Sequence, residues 1–292
     1  MTTLPPGLPA IDVALIYVPY DLDQPNTGMA LAPAAFQQAG LAHHLTERYI
    51  HIGLETTIQA DLSSPDLITR IAGIQSAVAD AVTAALEQQL IPILIGGDCL
   101  NALGMWRGIE RGLPTLTTGV AWFDAHGDWN TEQTTLSGYL GGMPFAALCG
   151  YGNGPLRAAL GIEHPAAPRT CALIGVRDLD LPEKVLLDTT PVVQLTAQQA
   201  ADDYSPAITA LTVIDAFYLH FDIDVLDTSI APGVDYPVPG GLSLDRAVNI
   251  ARGLVSNKPI VAFSLTAVNP QRDPSGRTVE TALAVLLNIL SD

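Results

Sequence analysis

Short, nearly uncharged apolar runs recur along the chain, separated by segments with helical periodicity. Runs of this length and composition are typical of strands buried on both faces of a parallel sheet. We therefore predict strands over Ile11–Val18, Arg48–Ile52, Leu90–Ile95, Val120–Phe123, Cys171–Val176, Phe217–Phe221 and Ile260–Leu265.

The segments between these runs predict helices. Apolar residues between Leu67 and Leu86 recur at spacings of three or four, which indicates an amphipathic helix ending near Gln89. Its start is predicted at 64–66, with Pro65 at the first helical position. Further helices are predicted over Asp98–Arg111, closed by Gly112, and over Ser243–Val255 and Thr278–Leu290. The alternation of strands and helices predicts one α/β domain over residues 1–292, with a parallel sheet covered on both faces.

Composition narrows the class of protein. Of 292 residues 48% are apolar and only 15% are charged, which favours a large buried core. The net charge of -17 argues against nucleic acid and anionic membranes as partners. Three widely spaced cysteines give no disulfide framework and indicate a reducing compartment. Because Met1–Pro6 lacks the basic region of a secretory signal, we predict a cytoplasmic protein.

Acidic clusters stand at the downstream ends of three predicted strands: residues 96–99 (GGDC), 124–128 (DAHGD) and 220–224 (HFDID). Ligands of open α/β sheets bind outside the carboxyl ends of the strands. The sequence therefore places five carboxylates in one pocket, those of Asp98, Asp124, Asp128, Asp222 and Asp224. Two carboxylates about 4 Å apart repel by about 4 kcal/mol at an effective dielectric constant of roughly 20. Either protonation or bound cations would remove this repulsion, and hard divalent cations are the simplest answer.

The spacing within the clusters strengthens the case for metal. Asp124, His126 and Asp128 alternate at a spacing of two, which on an extended segment aims all three side chains to one side. Asp222 and Asp224 repeat the pattern, so the set could hold two metals that share bridging ligands. The alternative is that these acids form turns and helix caps, where Asp is common. Two clusters with matching spacing favour the metal site.

At these residues the chain resembles the arginase, agmatinase and formimidoylglutamase group, the ureohydrolases. The matching segments appear in the family's order and span nearly the whole chain: 96–98, 124–130, 134–138, 177–180 and 221–227, with weaker matches at 240–242 and 268–270. The resemblance implies a three-layer α/β/α sandwich around a mostly parallel sheet. It also implies a pair of Mn²⁺ ions and a homo-oligomer, trimer or hexamer. The family's hydroxide between the metals attacks a small guanidino or amidine substrate, releasing urea or formamide and an amine.

The resemblance also implies roles for single residues. Asp124 and Asp222 would bridge the two metals, and Asp128 would bind one ion and hydrogen-bond the hydroxide. His126 and Asp224 would bind the other ion. For the substrate, the resemblance implies that Asn130 and Ser137 contact a carboxylate end and that Asp180 engages an α-amino group.

The chain departs from the family at three positions. Cys99 stands where the family has a histidine ligand, and a thiolate is a softer ligand that suits manganese less well. Either the first ion binds weakly, or the preferred metal shifts towards zinc, iron or cobalt, or Cys99 is an inert buried residue. Gly141 replaces the histidine that shuttles protons in arginase, and Ala267 replaces the glutamate that pairs with the guanidinium.

The last two departures suggest a substrate less basic than arginine. A guanidinium buried without a counter-ion would cost several kcal/mol, on the order of a broken buried ion pair. Our hypothesis is a metal-dependent amidinohydrolase for a substrate such as Nω-hydroxyarginine or a formimino compound. The alternative is a non-catalytic or weakly metal-binding paralogue with a structural or regulatory role. His220 could be an outer partner of the metals or a replacement proton carrier, but we favour a satisfied, hydrogen-bonded histidine.

Overall fold

Eight parallel strands form one sheet in the computed structural model, which describes residues 11–291. The strands are β1 (Asp12–Val18), β2 (His51–Thr57), β3 (Ile91–Gly96), β4 (Thr118–Phe123), β5 (Cys171–Gly175), β6 (Val193–Thr196), β7 (Ala216–Asp222) and β8 (Ile260–Thr266). Their order across the sheet is β2-β1-β3-β8-β7-β4-β5-β6, and every neighbouring pair is parallel. The predicted parallel α/β sheet is confirmed.

Helices cover both faces of this sheet. They are α1 (Ala32–Gln38), α2 (Leu41–Glu47), α3 (Leu67–Glu87), α4 (Asn101–Gly112), α5 (Pro144–Leu148), α6 (Gly154–Leu160), α7 (Leu181–Leu187), α8 (Ala197–Asp202), α9 (Ser205–Ala210), α10 (Leu244–Asn257) and α11 (Arg277–Leu290). The side chains of α3 to α7 bury one face of the sheet, and those of α1, α2 and α8 to α11 bury the other. The result is the expected three-layer α/β/α sandwich.

Alternation along each strand divides the core into two layers. In β7, Phe217, Leu219 and Phe221 join one apolar cluster, whereas Tyr218 joins the other. Successive side chains of a strand point to opposite faces, so each central strand supplies both layers. Strands buried in this way need apolar residues at every position, which explains the uninterrupted apolar runs.

Three predicted boundaries were wrong. The second strand begins at His51 rather than Arg48, because Arg48 ends the short helix α2 and Tyr49 adopts a φ of 60°. Pro65 precedes α3 instead of occupying its first turn, and Asp66 is the N-cap that accepts the Thr69 N–H. Helix α4 begins at Asn101, so Asp98 lies in the turn that precedes it.

Other predictions concern the ends of the chain, membranes and the shorter elements. The segment Met1–Pro6, used for the prediction on secretion, lies outside the described residues. Within 11–291, no helix combines the length and apolarity that crossing a membrane would require. The strand β6 and the short helices were not predicted, since β6 is short and carries two polar residues that are not buried.

Candidate metal centre

The carboxyl ends of four neighbouring strands, β3, β8, β7 and β4, meet at a cavity of about 460 Å³. Cys99 follows β3, Asp124 follows β4 and Asp222 ends β7. The cavity is lined by residues that include Cys99, His126, Asp128, Asn130, Ser137, Asp180, Asp222 and Asp224. Asp124 is buried beneath them. The structure thus brings every residue of the predicted site to one place.

Close packing at Gly97 positions the turn that carries Cys99. A Cβ at Gly97 would lie 2.1 Å from the carbonyl oxygen of Tyr20, so only glycine fits between the two backbones. The Gly97 carbonyl oxygen accepts a hydrogen bond of 2.7 Å from the Ala267 N–H, which ties the ends of β3 and β8 together. Asp98 supports the same turn, because its carboxylate accepts the backbone N–H groups of Leu22 and Leu100. Asp98 lines the cavity, but its oxygens serve the backbone.

Asp124, His126 and Asp224 form a first group of side chains that could hold a cation, with one ligand atom of each within 4.8 Å of the others. His126 Nδ1 lies 3.0 Å from Asp224 Oδ2 and 3.4 Å from Asp124 Oδ1. Both carboxylates also accept hydrogen bonds from N–H groups outside this group of ligands. Asp124 Oδ2 accepts the Trp122 indole N–H at 3.0 Å, and Asp224 Oδ1 accepts the Ala125 N–H at 3.0 Å.

Asp128 and Asp222 complete the carboxylate cluster, and the local geometry at Asp128 and Asp224 differs from the predicted one. The backbone at Asp128 is left-handed, with φ of 47°, instead of extended, and Asp224 lies in the 3₁₀ turn Ile223–Val225. A left-handed non-glycine residue costs of order 1–3 kcal/mol and tends to mark functional sites. Among the described residues, the buried Oδ2 of Asp128 has no hydrogen-bond partner.

The electrostatics of the cluster are those of crowded acids. Burial, then the neighbouring Asp224, raises the pKa of Asp124 to about 6. Burial also raises the pKa values of Asp128 and Asp222 well above the usual range. Burial lowers the pKa of His126, but the carboxylates of Asp124 and Asp224 outweigh it and raise the value to about 12. The carboxylates therefore exceed the positive charge available to them, and a bound dication would balance the excess.

Cys99, Asp124 and His220 form a second group whose ligand atoms lie within 4.8 Å of one another. Cys99 Sγ also lies 3.0 Å from Asp222 Oδ2. The prediction that His220 is a satisfied histidine was wrong. Its Nδ1 contacts Ser264 Oγ at 2.8 Å, but its buried Nε2 finds no partner within the described chain.

These donors fit a pair of divalent cations. The two groups share Asp124, as a bridging carboxylate would require. The group with His126 and Asp224 offers one nitrogen and carboxylate oxygens, which suit hard or borderline cations. The orphaned oxygen of Asp128 and the orphaned nitrogen of His220 are buried acceptors that gain a partner when a cation binds.

The three predicted substrate residues, Asn130, Ser137 and Asp180, all line the cavity. Asn130 Nδ2 donates to Asp180 Oδ2 at 3.1 Å, and Ser137 lies exposed at the rim. Sequence reasoning missed Glu183, which is buried and accepts the N–H groups of Trp129 and Asp180. A signal was available, since an acid three residues after Asp180 at a helix start is the pattern of a capping box.

The structure also shows what occupies the positions of the two missing family residues. A Cβ on Gly141 would lie 2.4 Å from the ring of Tyr139, so the tyrosine fills the space of a side chain at position 141. Burial raises the pKa of the Tyr139 hydroxyl further above its usual value, which keeps it a neutral donor. Ala267 lines the cavity with a methyl group, on backbone with φ of 65°.

Comparisons with known proteins agree with this geometry. The model of the family described as "Arginase family" matches residues 11–291. An arginase from Bacillus caldovelox is 29% identical over 297 residues, covering 96% of this chain and 98% of that protein. The crystal structure of an arginase from Bacillus cereus superposes with a TM-score of 0.88 at 28% identity, covering 97% of this chain and 99% of that one. A formimidoylglutamase from Bacillus subtilis shares the fold, with a TM-score of 0.76 at 22% identity and coverage of 98% and 89%.

Proposed function

The chain belongs to the arginase family, and on that premise we propose that it is a hydrolase of carbon–nitrogen bonds in linear amidines. Its substrate is a small guanidino or amidine compound, and its products are urea or a urea derivative and an amine. Two divalent cations, Mn²⁺ in the simplest case, serve as cofactors. The observation that carries the proposal is the pair of ligand groups that share Asp124 beside a cavity of about 460 Å³.

The residues of the cavity divide the work of this reaction. Bound divalent cations supply a nucleophile at neutral pH, because they lower the pKa of water, and they polarise the substrate. The unpartnered Oδ2 of Asp128 is a buried acceptor for a proton of the attacking water. Asn130 and Asp180, joined by a hydrogen bond, orient the distal end of the substrate, with Ser137 at the rim. His126 is held between the carboxylates of Asp124 and Asp224, which fixes the position of its ring.

Two features favour a substrate that is less basic than arginine. The methyl group of Ala267 offers no charge to a guanidinium, and an unpaired buried cation is costly. Tyr139 stands in the space of a side chain at 141, and its neutral hydroxyl can hydrogen-bond a leaving group without supplying a proton readily. Nω-Hydroxyarginine and formimino compounds meet the first condition, because their reactive groups are less basic than the guanidinium of arginine.

The substrate class is tested by product release. The purified protein, loaded in turn with Mn²⁺, Co²⁺ and Zn²⁺, is assayed for urea or hydroxyurea from arginine, Nω-hydroxyarginine, agmatine and guanidinobutyrate. We expect kcat/KM for Nω-hydroxyarginine to exceed that for arginine by about tenfold or more, the effect of roughly 1.4 kcal/mol. Equal turnover of the two would contradict the assignment.

Substitution of Ala267 gives a matched pair of variants. Ala267→Glu places a carboxylate beside the substrate and should raise the ratio of arginine to Nω-hydroxyarginine turnover. Ala267→Gln has the same size and the same backbone cost without the charge, and should leave the ratio unchanged. A charge-assisted hydrogen bond is roughly twice as strong as a neutral one, so a shift of about tenfold is expected. The same shift in both variants would mean that shape, and not charge, sets the preference.

We further propose that the protein is a cytoplasmic homo-oligomer, trimer or hexamer, without nucleic-acid or membrane partners. Support comes from the family membership, the charge of -17 and the three free cysteines. Light scattering on the purified protein measures the oligomeric state. If no metal copurifies and no substrate of the panel is turned over, a non-catalytic paralogue with a structural or regulatory role replaces the hydrolase.

A further inference from the structure

Cys99 replaces the histidine that the family has directly after Gly-Gly-Asp, but the imidazole of a different residue, His220, lies close to Cys99. His220 is far from Cys99 along the chain, but β8 alone separates β7 from β3 in the sheet. The ligand atoms of Cys99, Asp124 and His220 lie within 4.8 Å of one another, and all three side chains are buried. The site therefore contains an imidazole, and it comes from strand β7 instead of the turn after β3.

His220 has the state that a metal ligand needs. Its Nδ1 lies 2.8 Å from Ser264 Oγ and 3.2 Å from Tyr218 OH, whereas no described residue hydrogen-bonds Nε2. A proton on Nε2 would be buried without an acceptor, so the favoured tautomer carries it on Nδ1 and directs a free lone pair from Nε2. Metal-binding histidines are typically held by such a hydrogen bond on the second nitrogen.

One strand positions both new ligands. Ser264 and Thr266 lie two residues apart on β8, so their side chains point to the same face. Ser264 holds Nδ1 of His220, and Thr266 Oγ1 lies 3.4 Å from Cys99 Sγ. On the other side, the ring of Trp122 stacks on that of His220 at 3.7 Å, and its N–H binds Asp124. His220 is therefore held by two cross-strand neighbours that lie in register with it, Ser264 and Trp122.

We propose that the second ligand group, Cys99, Asp124 and His220, binds one of the two cations through sulfur, oxygen and nitrogen, and that this site selects Zn²⁺ or Co²⁺ over Mn²⁺. The donor set is one that zinc takes readily, and a thiolate ligand disfavours manganese. Cys99 Sγ now donates to Asp222 Oδ2. On binding, the thiol proton leaves to solvent and the thiolate takes its place on the cation.

This inference deepens the proposed function by naming the metal that binds at Cys99, Asp124 and His220. It rests on the proposed function only for the role of that metal in the reaction. Metal binding is measured without substrate, so the two can fail separately. If zinc binds through sulfur but the protein turns over no amidine, the proposed metal site stands and the proposed hydrolase function fails. If the protein turns over an amidine but its metal has no sulfur ligand, the hydrolase function stands and the proposed metal site fails.

The first test uses the wild-type protein, which avoids any question of folding. X-ray absorption of the zinc-loaded protein should show a sulfur shell at about 2.3 Å beside nitrogen and oxygen at about 2.0–2.2 Å. Competition titrations should show that the preference for Zn²⁺ and Co²⁺ over Mn²⁺ is at least tenfold larger at one of the two sites than at the other, because a soft ligand adds to the preference that nitrogen and oxygen ligands already give. Absence of the sulfur shell, or an equal preference at the two sites, overturns the proposal.

The second test assigns the ligands with matched variants. The Co²⁺ protein should show a thiolate-to-cobalt charge-transfer band, which Cys99→Ser should remove. Cys149→Ser, which alters another buried cysteine, should retain it. His220→Asn should weaken Co²⁺ binding by about tenfold or more, whereas His164→Asn, at an exposed loop, should not. A band that persists in Cys99→Ser, or unchanged affinity in a folded His220→Asn, contradicts the assignment.

Discussion

At the scale of single residues, the candidate metal centre depends on a few hydrogen-bond donors that orient its carboxylates. Asp124 belongs to both ligand groups, and its two oxygens are oriented by the indole N–H of Trp122 and the backbone N–H of His126. Partners of this kind are worth about 10- to 100-fold in metal affinity. The strength of the centre therefore depends partly on groups that are not themselves ligands, such as the indole N–H of Trp122.

Trp122→Phe tests this dependence. The variant keeps an aromatic ring against His220 and Phe145 but removes the donor to Asp124. We expect cation affinity to fall by about 10- to 100-fold in calorimetric titrations. Trp106→Phe is the control, because it also loses an indole hydrogen bond, to the carbonyl oxygen of His164, outside the cavity lining. Equal losses in both variants would point to general destabilisation.

A second prediction at this scale concerns pH. Burial, then repulsion from Asp235, raises the pKa of Asp21 from 3.8 to about 6. The folded state therefore binds more protons than the unfolded state between about pH 4 and 6, and this carboxylate makes stability fall as pH rises through that interval. Asp21→Asn removes the cost. Its Tm should exceed that of the wild type by a few degrees above pH 6 and match it near pH 4.

Asp227→Asn should behave in the opposite way. Hydrogen bonds from Ser229 and from the N–H of Gly240 lower the pKa of Asp227 to about 2. Its stabilising effect is present above the unfolded pKa and is lost as pH falls through the folded one. This variant should therefore have a lower Tm than the wild type at neutral pH. If both aspartate variants shift Tm in the same direction at pH 7, these electrostatic causes are wrong.

At the scale of elements, the contact between α3 and α4 decides how the cavity-side layer packs. Gly104, Gly108 and Gly112 recur every four residues along the face of α4 that meets α3. A Cβ at Gly108 would lie 2.4 Å from Cβ of Val82, so the two helices approach more closely than any larger residue allows. Helix α4 begins just after Cys99, and its position thus bears on the site.

Gly108→Ala should lower the free energy of unfolding by about 1–3 kcal/mol, the usual cost of overpacking. Gly73→Ala is the matched control. It lies in α3, where an added methyl group would meet no described atom within 4 Å, and it should raise stability by about 0.5–1 kcal/mol through helix propensity alone. Urea unfolding of both variants measures the difference. A stabilised Gly108→Ala would mean that the helices are not in close contact there.

At the scale of the whole molecule, the carboxylates of the centre join strands from the middle of the sheet. Asp124, Asp222 and Asp224 are buried and close together, so cations that bind them also hold β4 and β7 against each other. A ligand present at 100 times its Kd adds about 2.7 kcal/mol to the stability of the folded state. Metal content and thermal stability should therefore change together.

Removal of metal by EDTA should lower Tm by several degrees, and readdition of Zn²⁺ or Mn²⁺ should restore it. For a domain larger than 150 residues, each kcal/mol corresponds to about 2–4 °C. Differential scanning calorimetry before and after chelation, with metal analysis of the same samples, provides the measurement. An unchanged Tm together with no copurified metal would favour the non-catalytic alternative.

The sequence by itself determined the layer architecture and the acids of the site. Apolar runs and helical spacings are local patterns, and they predicted the parallel sheet with helices on both faces because burial on two sides requires such runs. Asp124, Asp128, Asp222 and Asp224 were found in the same way, since carboxyl ends of parallel strands share one edge. The start of β2 was predicted wrongly because neither a short helix nor the left-handed backbone at Tyr49 produces a periodic pattern of apolar residues.

Only the tertiary structure decided which distant residues meet. His220 faces Cys99 because β7, β8 and β3 are neighbours in the sheet, and strand order is not written in the periodicity of any one strand. Contacts between residues far apart in the chain depend on packing of the whole core, whereas a sequence pattern reports only the burial of its own segment.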